Sequence, residues 1–304
     1  MTDNQKAITA ASAAVLSWST VAAAFKTALS YYTHYEMLTV AAITATVIFA
    51  IAITLQRKWS QVRHMHIKDL GALALLGLLN PTFYYLVLFS AYEQLPAQVA
   101  QPVNYCWPIF LVILLAVVMH KPVKPRLYIG MAVSFAGVSV ISLGSGGIGG
   151  SLSISGIAMA LFSAILWAVY WIANERLKGG FDESVKLFGS FLFGSIYLLA
   201  GLLWIPAAFD STSGTLASIY VGAFEMGIPF LFFSIALKNA TNVATVNQMC
   251  YIAPFLSLFF ISVIVGETIL TTSYVGLSLI IFGVIFNQYL AYPGSKKLNA
   301  VDKA

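Results

Sequence analysis

The chain has 304 residues, of which 60% are hydrophobic and 9% are charged, and its mean hydropathy is +0.86. So few charged side chains cannot cover a soluble globule of this length with a polar surface, which excludes an ordinary soluble domain. The net charge of +5 suggests a nucleic-acid partner, but membrane topology alone requires basic connections, so we predict no nucleic-acid binding. The composition predicts a polytopic protein whose surroundings are the lipid bilayer.

Ten apolar segments of roughly bilayer-spanning length follow one another along the chain. They run from Ala7 to Leu29, Met37 to Leu55, Leu70 to Phe89, Ala97 to Met119, Leu127 to Leu143, Ile154 to Ala173, Leu187 to Pro206, Leu216 to Leu237, Val243 to Val265 and Tyr274 to Leu290. The first segment is long enough to span, and its removal would break the charge alternation that follows. We therefore predict a retained helix and no cleaved signal peptide.

Basic residues alternate between the connections. Every Lys and Arg except Lys26 precedes the first span or lies in every second connection and the C-terminal tail. The other connections contain no Lys or Arg and carry the acidic residues Glu36, Glu93, Asp210 and Glu267. The positive-inside rule therefore predicts that both termini and the basic connections are cytoplasmic, and that the Gly-rich stretch from Gly144 to Ser151 lies on the opposite side.

The two halves of the chain repeat each other. A shift of 146 residues, and small gaps for the last two, align these pairs: Gly130 with Gly276, Gly137 with Gly283, Tyr105 with Tyr251, Pro108 with Pro254, Trp18 with Trp167 and Pro81 with Pro229. Because each half holds an odd number of spans, the second enters the membrane from the opposite side. The sequence predicts an all-α membrane protein of ten transmembrane helices in two inverted five-helix repeats, residues 1–146 and 147–304, joined by a flexible linker.

A family resemblance rests on motifs in both halves. Trp18-Ser19 followed by Lys26 resembles the Trp-Gly and downstream Lys of the drug/metabolite transporter superfamily. Its EamA repeat is similar to a set of residues in each half: Pro108, Gly130 and Gly137, then Pro254, Gly266-Glu267, Gly276 and Gly283. The similarity extends over nearly the whole chain. It departs at Ser19, where the family has glycine, and at His120-Lys121, which stand opposite Gly266-Glu267.

The aromatic composition of the first, third, fourth and sixth spans is similar to that of YddG-type amino-acid exporters. The resemblance implies an exporter of the bacterial inner membrane that works by alternating access and needs no cofactor. It implies small amphipathic metabolites as cargo, above all amino acids, including aromatic ones. A channel and a nucleotide-sugar or drug carrier of the same superfamily are the alternatives.

Amides and phenols in two spans mark the predicted substrate pathway, because polar groups in hydrocarbon are costly unless they find partners or line a wet cavity. The candidates are Gln98, Gln101 and Tyr105 in the fourth span and Asn247, Gln248 and Tyr251 in the ninth. The shift of 146 residues pairs Gln101 with Asn247 and Tyr105 with Tyr251, so we predict that both pairs line a central cavity. Hydrogen bonds that only join helices are the alternative role.

Aromatic residues and prolines add to this prediction. Trp18, Tyr84 and Trp167 lie deep in their spans, where ring faces stack on an apolar side chain and attract an ammonium group. Ordinary packing is the alternative. Pro108 and Pro254 each remove a backbone donor and free a carbonyl one turn earlier, which kinks the helix and offers a backbone group to a ligand or a gate.

Two formal charges lie inside spans. Lys26 is near the non-cytoplasmic end of the first helix, where its long side chain snorkels to the interface unless it has a gating role. Glu225 is about ten residues into the eighth span and therefore near the bilayer centre. It carries a proton, binds a substrate ammonium group or holds helices together. Facilitated export and coupled antiport both stay open.

An intramembrane enzyme is the rival from another class. It would need a nucleophile and base, or metal ligands, inside the spans, but the histidines lie in connections or at helix ends: His34, His64, His66 and His120. Neither HExxH nor GxSxG occurs in the chain. Cys106 and Cys250 both fall within spans and are interpreted as small packing residues. We predict no catalytic residues and no metal site.

Overall fold

The computed structural model describes residues 2–118, 125–145, 153–177, 180–241 and 243–291. The regular structure in these ranges is entirely helical, which confirms the predicted all-α fold. The predicted repeat boundary at residue 146 and the Gly-rich linker beyond Ser145 lie outside the described residues.

Helices of the first half account for the predicted spans one to five. They are α1 (Asp3–Leu29), α2 (His34–Leu55), α3 (Trp59–Arg63), α4 (Ile67–Gly77), α5 (Tyr84–Gln94), α6 (Ala97–Asn104), α7 (Trp107–Val118) and α8 (Pro125–Ser145). A π-helical turn, Leu78–Phe83, joins α4 to α5 within the third span. The short helix α3 lies in a basic connection and has no counterpart among the predicted spans.

The second half repeats this order. Its helices are α9 (Ile154–Arg176), α10 (Glu183–Gly201), α11 (Thr212–Val221), α12 (Ile228–Asn239), α13 (Val243–Met249), α14 (Ile252–Phe260) and α15 (Thr271–Ala291). A π-helical turn, Gly222–Gly227, joins α11 to α12 in the eighth span, and another, Ile261–Val265, extends α14 in the ninth.

Within the described ranges, seven helical stretches are long and apolar enough to cross a bilayer. They correspond to the predicted spans one to three and six to nine. The fourth predicted span consists of α6 and α7, the fifth is α8, and the tenth is α15. The first of these is interrupted at Tyr105, and the apolar parts of α8 and α15 are shorter, at Tyr128–Ile141 and Thr271–Asn287.

The seventh span begins and ends earlier than predicted, at Glu183 and Gly201 rather than at Leu187 and Pro206. Asp182 immediately precedes the helix and Glu183 lies in its first turn, and negative charge at a helix N-terminus is favourable. The sequence prediction followed hydropathy alone and therefore missed this polar first turn.

Helix packing follows the repeat. Helix α1 packs against α12 and α14, whereas its counterpart α9 packs against α5 and α7. The second span packs against the seventh, as α2 on α10, and the fifth packs against the tenth, as α8 on α15. Each contact between a helix of one half and a second helix thus has an equivalent contact in which the two halves have swapped places. The bundle is therefore built from two similar five-span units.

Glycines bring α8 and α15 into close backbone contact. A Cβ atom on Gly137 would lie 2.5 Å from the carbonyl oxygen of Gly276, and one on Gly130 would lie 2.7 Å from that of Gly283. Small residues at such crossings let membrane helices approach closely enough for extensive van der Waals contact. The hydroxyl of Ser134 also donates to the carbonyl of Ile280 at 3.0 Å. These four glycines are the two pairs, Gly130 with Gly276 and Gly137 with Gly283, that the 146-residue shift aligns.

We call the end of the bundle that holds the connections 56–66 and 177–182 the basic end. There Asp182 joins the two halves. Gln61 Nε2 donates to its carboxylate at 2.7 Å, Lys58 Nζ lies 3.2 Å away, and the Asp182 amide donates to Gln61 Oε1 at 2.9 Å. The hydrogen bond from Gln61 and the neighbouring Lys58 hold the pKa of Asp182 below its usual range. The opposite end, which holds Glu93 and Glu267, is called the acidic end.

Candidate functional site

The third and eighth spans are both broken near their middle by a π-helical turn beside a proline. In the third span Asn80, just before Pro81, leaves the helical conformation with φ −143° and ψ 118°. In the eighth span the turn Gly222–Gly227 precedes Pro229, and Glu225 lies inside it. Discontinuous helices in equivalent positions of two repeats mark ligand sites in transporters, because they expose backbone and polar groups at mid-membrane.

The fourth and ninth spans are interrupted as well. Helix α6 ends at Asn104 and α7 begins at Trp107, and likewise α13 ends at Met249 and α14 begins at Ile252. Pro108 and Pro254 follow these interruptions, so each break lies one turn before a proline, where the missing N–H leaves a carbonyl unpaired. The two repeat-related residues Tyr105 and Tyr251 lie at the breaks.

Aromatic side chains from the first, third, fourth, sixth and eighth spans meet between these breaks. This aromatic cluster consists of Trp18, Tyr84, Tyr85, Trp107, Trp167, Tyr170, Trp171 and Phe230. Tyr84 lies 4.6 Å from both Tyr85 and Trp167, measured between ring centroids, and Trp167 lies 5.4 Å from Tyr170 and 6.1 Å from Trp171. The spacings fall in the range of favourable aromatic pairs.

Phe230 connects the two repeats inside the cluster. Its ring lies 6.2 Å from Trp18 and 6.0 Å from Trp167, the two tryptophans that the repeat pairs. The predicted residues Trp18, Tyr84 and Trp167 are therefore brought into one cluster.

Glu225 reaches the edge of this cluster. The hydroxyl of Tyr85 donates to Glu225 Oε1 at 3.1 Å, and the indole N–H of Trp18 donates to the backbone carbonyl of Glu225 at 3.2 Å. No Lys, Arg or His in the described part of the chain forms an ion pair with this carboxylate. The side chain is partly accessible, although it belongs to the middle of a spanning segment.

Several buried polar groups of the third, fourth and sixth spans have no hydrogen bond of good geometry among the described residues. They are both amide atoms of Asn80, the carbonyl oxygen of the Gln101 side chain and the indole nitrogen of Trp171. Asn80 is fully buried, and its amide interacts with the Tyr170 hydroxyl, although no hydrogen bond of good geometry joins the two. By contrast, Asn104 is satisfied, because it accepts from Tyr84 at 3.3 Å and donates to Ser163 at 2.8 Å. Unpaired buried polar groups are rare and costly, so these positions are candidates for contact with a polar ligand or water.

Tyr105 and Tyr251 lie within electrostatic range of each other, and Tyr105 is also within range of Glu225. Tyr251 is buried and Tyr105 is partly buried. The predicted phenol pair thus adjoins the cluster. The amide pair is not brought together in the same way: Gln101 is buried, whereas Asn247 and Gln248 are exposed on α13.

Two other predicted residues lie at the acidic end. The side chain of Gln98 donates to the carbonyl of Thr268 at 3.0 Å and accepts from Leu270 N at 3.0 Å and Ser273 Oγ at 2.8 Å. Lys26 Nζ donates to the carbonyls of Tyr92 at 2.8 Å and Leu95 at 3.1 Å, so it caps the C-terminal end of α5. Two helix-terminal carbonyls at the acidic end therefore hold its ammonium group, and a gating role for Lys26 stays a prediction.

Sequence reasoning missed Asn80 and Phe230. Phe230 carries no distinguishing signal in a chain with 21 phenylalanines. Asn80 does carry one, since Asn-Pro in the middle of an apolar segment combines a buried amide with a helix breaker. Among the described residues, no group of three or more His, Cys, Asp or Glu side chains is close enough to hold a metal ion.

Comparison with known proteins places these features in a family context. The model of the EamA-like transporter family matches residues 5–143 and 154–289. An uncharacterised transporter of Clostridium kluyveri is 28% identical over 77% of this chain and 76% of its own length. A probable terminal-alkyne amino-acid exporter of Streptantibioticus cattleyicolor is 23% identical over 92% of both chains. One solved crystal structure has the same fold, with a TM-score of 0.67 at 23% identity over 95% of this chain and 98% of its own.

Proposed function

The chain belongs to the EamA-like transporter family, and from this premise we propose that it exports small amphipathic metabolites, above all amino acids including aromatic ones. The observation that carries the proposal is the aromatic cluster. It lies where the broken third and eighth spans approach each other, and it has a carboxylate and unpaired amides at its edge. Aromatic faces beside a few polar groups suit a ligand with an apolar body and a charged head. The name of the Streptantibioticus relative supports the amino-acid class.

The proposed orientation puts the basic end in the cytoplasm of a bacterial cell membrane. Support comes from the segregation of basic residues into alternate connections. Both termini are then cytoplasmic, and five spans in each half make the two repeats inverted. Such repeats supply two near-equivalent arrangements of the bundle around a central site, which alternating access requires. The site is proposed to include Trp18, Tyr84, Gln101, Tyr105, Trp167, Asn247 and Tyr251.

Purified protein in proteoliposomes tests this function. A carrier gives saturable uptake of radiolabelled phenylalanine that is accelerated by unlabelled phenylalanine on the opposite side, with no steady ion current in a planar bilayer. Protein-free vesicles and vesicles with Trp167→Ala protein are the controls. Uptake that does not saturate, together with a steady current, would establish a channel, and hydrolysis of an added metabolite would establish an enzyme.

A further inference from the structure

We propose that the site recognises its cargo by a cationic nitrogen, with Glu225 as the residue that binds it, and that no cation among the described residues pairs with a carboxylate on the cargo. This inference deepens the proposed transport function and rests on it. Its practical content is that an amine lacking the carboxylate should be a ligand of this site, whereas a carboxylate lacking the amine should not.

The first observation is that the carboxyl group of Glu225 has no cationic partner among the described residues. In the described part of the chain, the carboxylate takes one side-chain hydrogen bond, from the Tyr85 hydroxyl at 3.1 Å. A carboxylate offers about four acceptor positions, so most of its capacity is unused. An ionised carboxylate in the middle of a membrane protein needs a cationic partner, and an ammonium group with three N–H donors supplies it.

The second observation is that the basic side chains that have a partner in the described part of the chain have it away from the aromatic cluster. Lys26 lies in α1, and its ammonium group is held by the carbonyls of Tyr92 and Leu95. Lys58 pairs with Asp182 and Lys186 with Glu183, both at the basic end. Within the described residues, nothing of positive charge therefore contacts the aromatic cluster to neutralise Glu225 or to bind a ligand carboxylate.

The third observation is the surface around the carboxylate. Trp18 donates its indole N–H to the backbone carbonyl of Glu225 at 3.2 Å, and Phe230 lies 6.2 Å from Trp18. Tyr85, which binds the carboxylate, lies 4.6 Å from Tyr84. The faces of such rings attract ammonium groups and repel carboxylates. Charge and ring electrostatics thus favour the same class of head group.

The amide of Asn80, beside the Tyr170 hydroxyl, complements the carboxylate in this site. It is neutral, and it offers a donor and an acceptor that no hydrogen bond of good geometry occupies. It accommodates a carboxylate, a hydroxyl or a water molecule without ion pairing, and so it tolerates an amino acid without requiring the acid group.

Three probes that share one phenyl ring test the inference: phenylalanine, phenethylamine and 3-phenylpropanoate. Binding to purified protein in nanodiscs is measured by competition and by thermal shift at pH 7.5. We expect phenethylamine to bind at least as tightly as phenylalanine, and 3-phenylpropanoate not to compete. Glu225→Gln should weaken both amines by about tenfold or more. Glu225→Asp keeps the charge and should retain the preference for amines.

Glu93→Gln is the matched control, because Glu93 pairs with His34 at the acidic end and lies outside the cluster. Folding of each variant is checked by size-exclusion chromatography. Phenylalanine binding without phenethylamine binding, or equal amine binding in wild type and Glu225→Gln, would overturn the inference while leaving amino-acid export intact. Phenethylamine binding that depends on Glu225, without phenylalanine uptake in proteoliposomes, would support the inference and reject the amino-acid cargo.

Discussion

Helices α6 and α13 hold equivalent positions in the two halves, yet they are packed very differently. Every residue of α6 is buried, and its N-terminal amides at Ala97 and Gln98 donate to the carboxylate of Glu267 from the other half, at 2.9 and 3.4 Å. In α13, Thr245, Asn247 and Gln248 are exposed, and the helix contacts few neighbours. One end of the bundle is thus sealed around α6, while the other is loose around α13.

This difference leads to a prediction about which way the transporter faces. Exposed amides on a spanning helix avoid the cost of contact with lipid only if they face water, so we predict that α13 borders a water-filled opening at the basic end. The acidic end is closed by what we call the acidic-end lock, the hydrogen bonds that join Gln98 and the α6 N-terminus to residues 267–273. If the halves exchange their roles during transport, α13 packs tightly while α6 loosens, and the lock must open.

The largest expected effect comes from preventing that exchange. With Cys106 and Cys250 replaced by alanine, cysteines at positions 98 and 273 would replace side chains that lie 2.8 Å apart, between Gln98 Oε1 and Ser273 Oγ. A short bifunctional thiol reagent that joins them should reduce transport to background, because α6 can no longer leave the lock. A reductant that cleaves the cross-link should restore transport. The single-cysteine variants are the controls. Full transport with the cross-link in place would show that the acidic end stays closed throughout the cycle.

A smaller effect should separate the members of the amide pair Gln101 and Asn247. At rest, a cysteine at position 247 should react with an impermeant thiol reagent from the basic end, whereas one at position 101 should be protected, since Gln101 is buried and Asn247 is exposed.

Saturating cargo should protect position 247. Removal of either amide should weaken apparent affinity by about tenfold, since an unmade buried hydrogen bond costs about 1–3 kcal/mol. If both alanine variants keep the wild-type affinity and only lose thermal stability, the amides join helices and do not bind cargo.

The smallest effect is expected at the basic end, where Asp182 joins connections of the two halves. Its pKa is lower in the folded protein than in the unfolded chain, so ionised Asp182 contributes stability above the unfolded pKa and loses it as pH falls through the folded pKa. Asp182→Asn should therefore lower the melting temperature slightly at pH 7. The effect is small because so exposed a pair contributes less than about 1 kcal/mol to the free energy of unfolding. The gap between variant and wild type should shrink in acid. Asp210→Asn serves as the control, and a gap independent of pH would exclude the ionised form as the cause.

The sequence was most informative where one physical effect dominates. Hydropathy predicted the spans because backbone in lipid must be helical, and prolines predicted the breaks near Tyr105 and Tyr251 because a missing N–H interrupts a helix locally. The sequence was least informative about the hydrogen-bond partners of the polar side chains. Gln98 and Gln101 lie three residues apart on one helix, but Gln98 reaches the 267–273 segment while the carbonyl of Gln101 has no partner. Helical spacing gives direction and depth, whereas a partner depends on a segment 170 residues away in the chain.

Lys26 and Asn80 illustrate the same limit. A lysine near a helix end snorkels by default, and only the position of α5 shows that two carbonyls hold it. Asn80 was overlooked because its importance arises from a broken helix and from the absence of any partner among the described residues.

The contact between α8 and α15 has a consequence for the origin of the chain. Gly130 meets Gly283 and Gly137 meets Gly276, so each half offers the same small-residue face to the other, in the opposite chain direction. That is the geometry of an isologous dimer interface, in which one patch binds its own copy. A five-span ancestor with this face would have been able to pair with a second molecule of itself. Two such copies joined into one chain would be free to differ, and in this chain one break holds a carboxylate, Glu225, and the other an amide, Asn80.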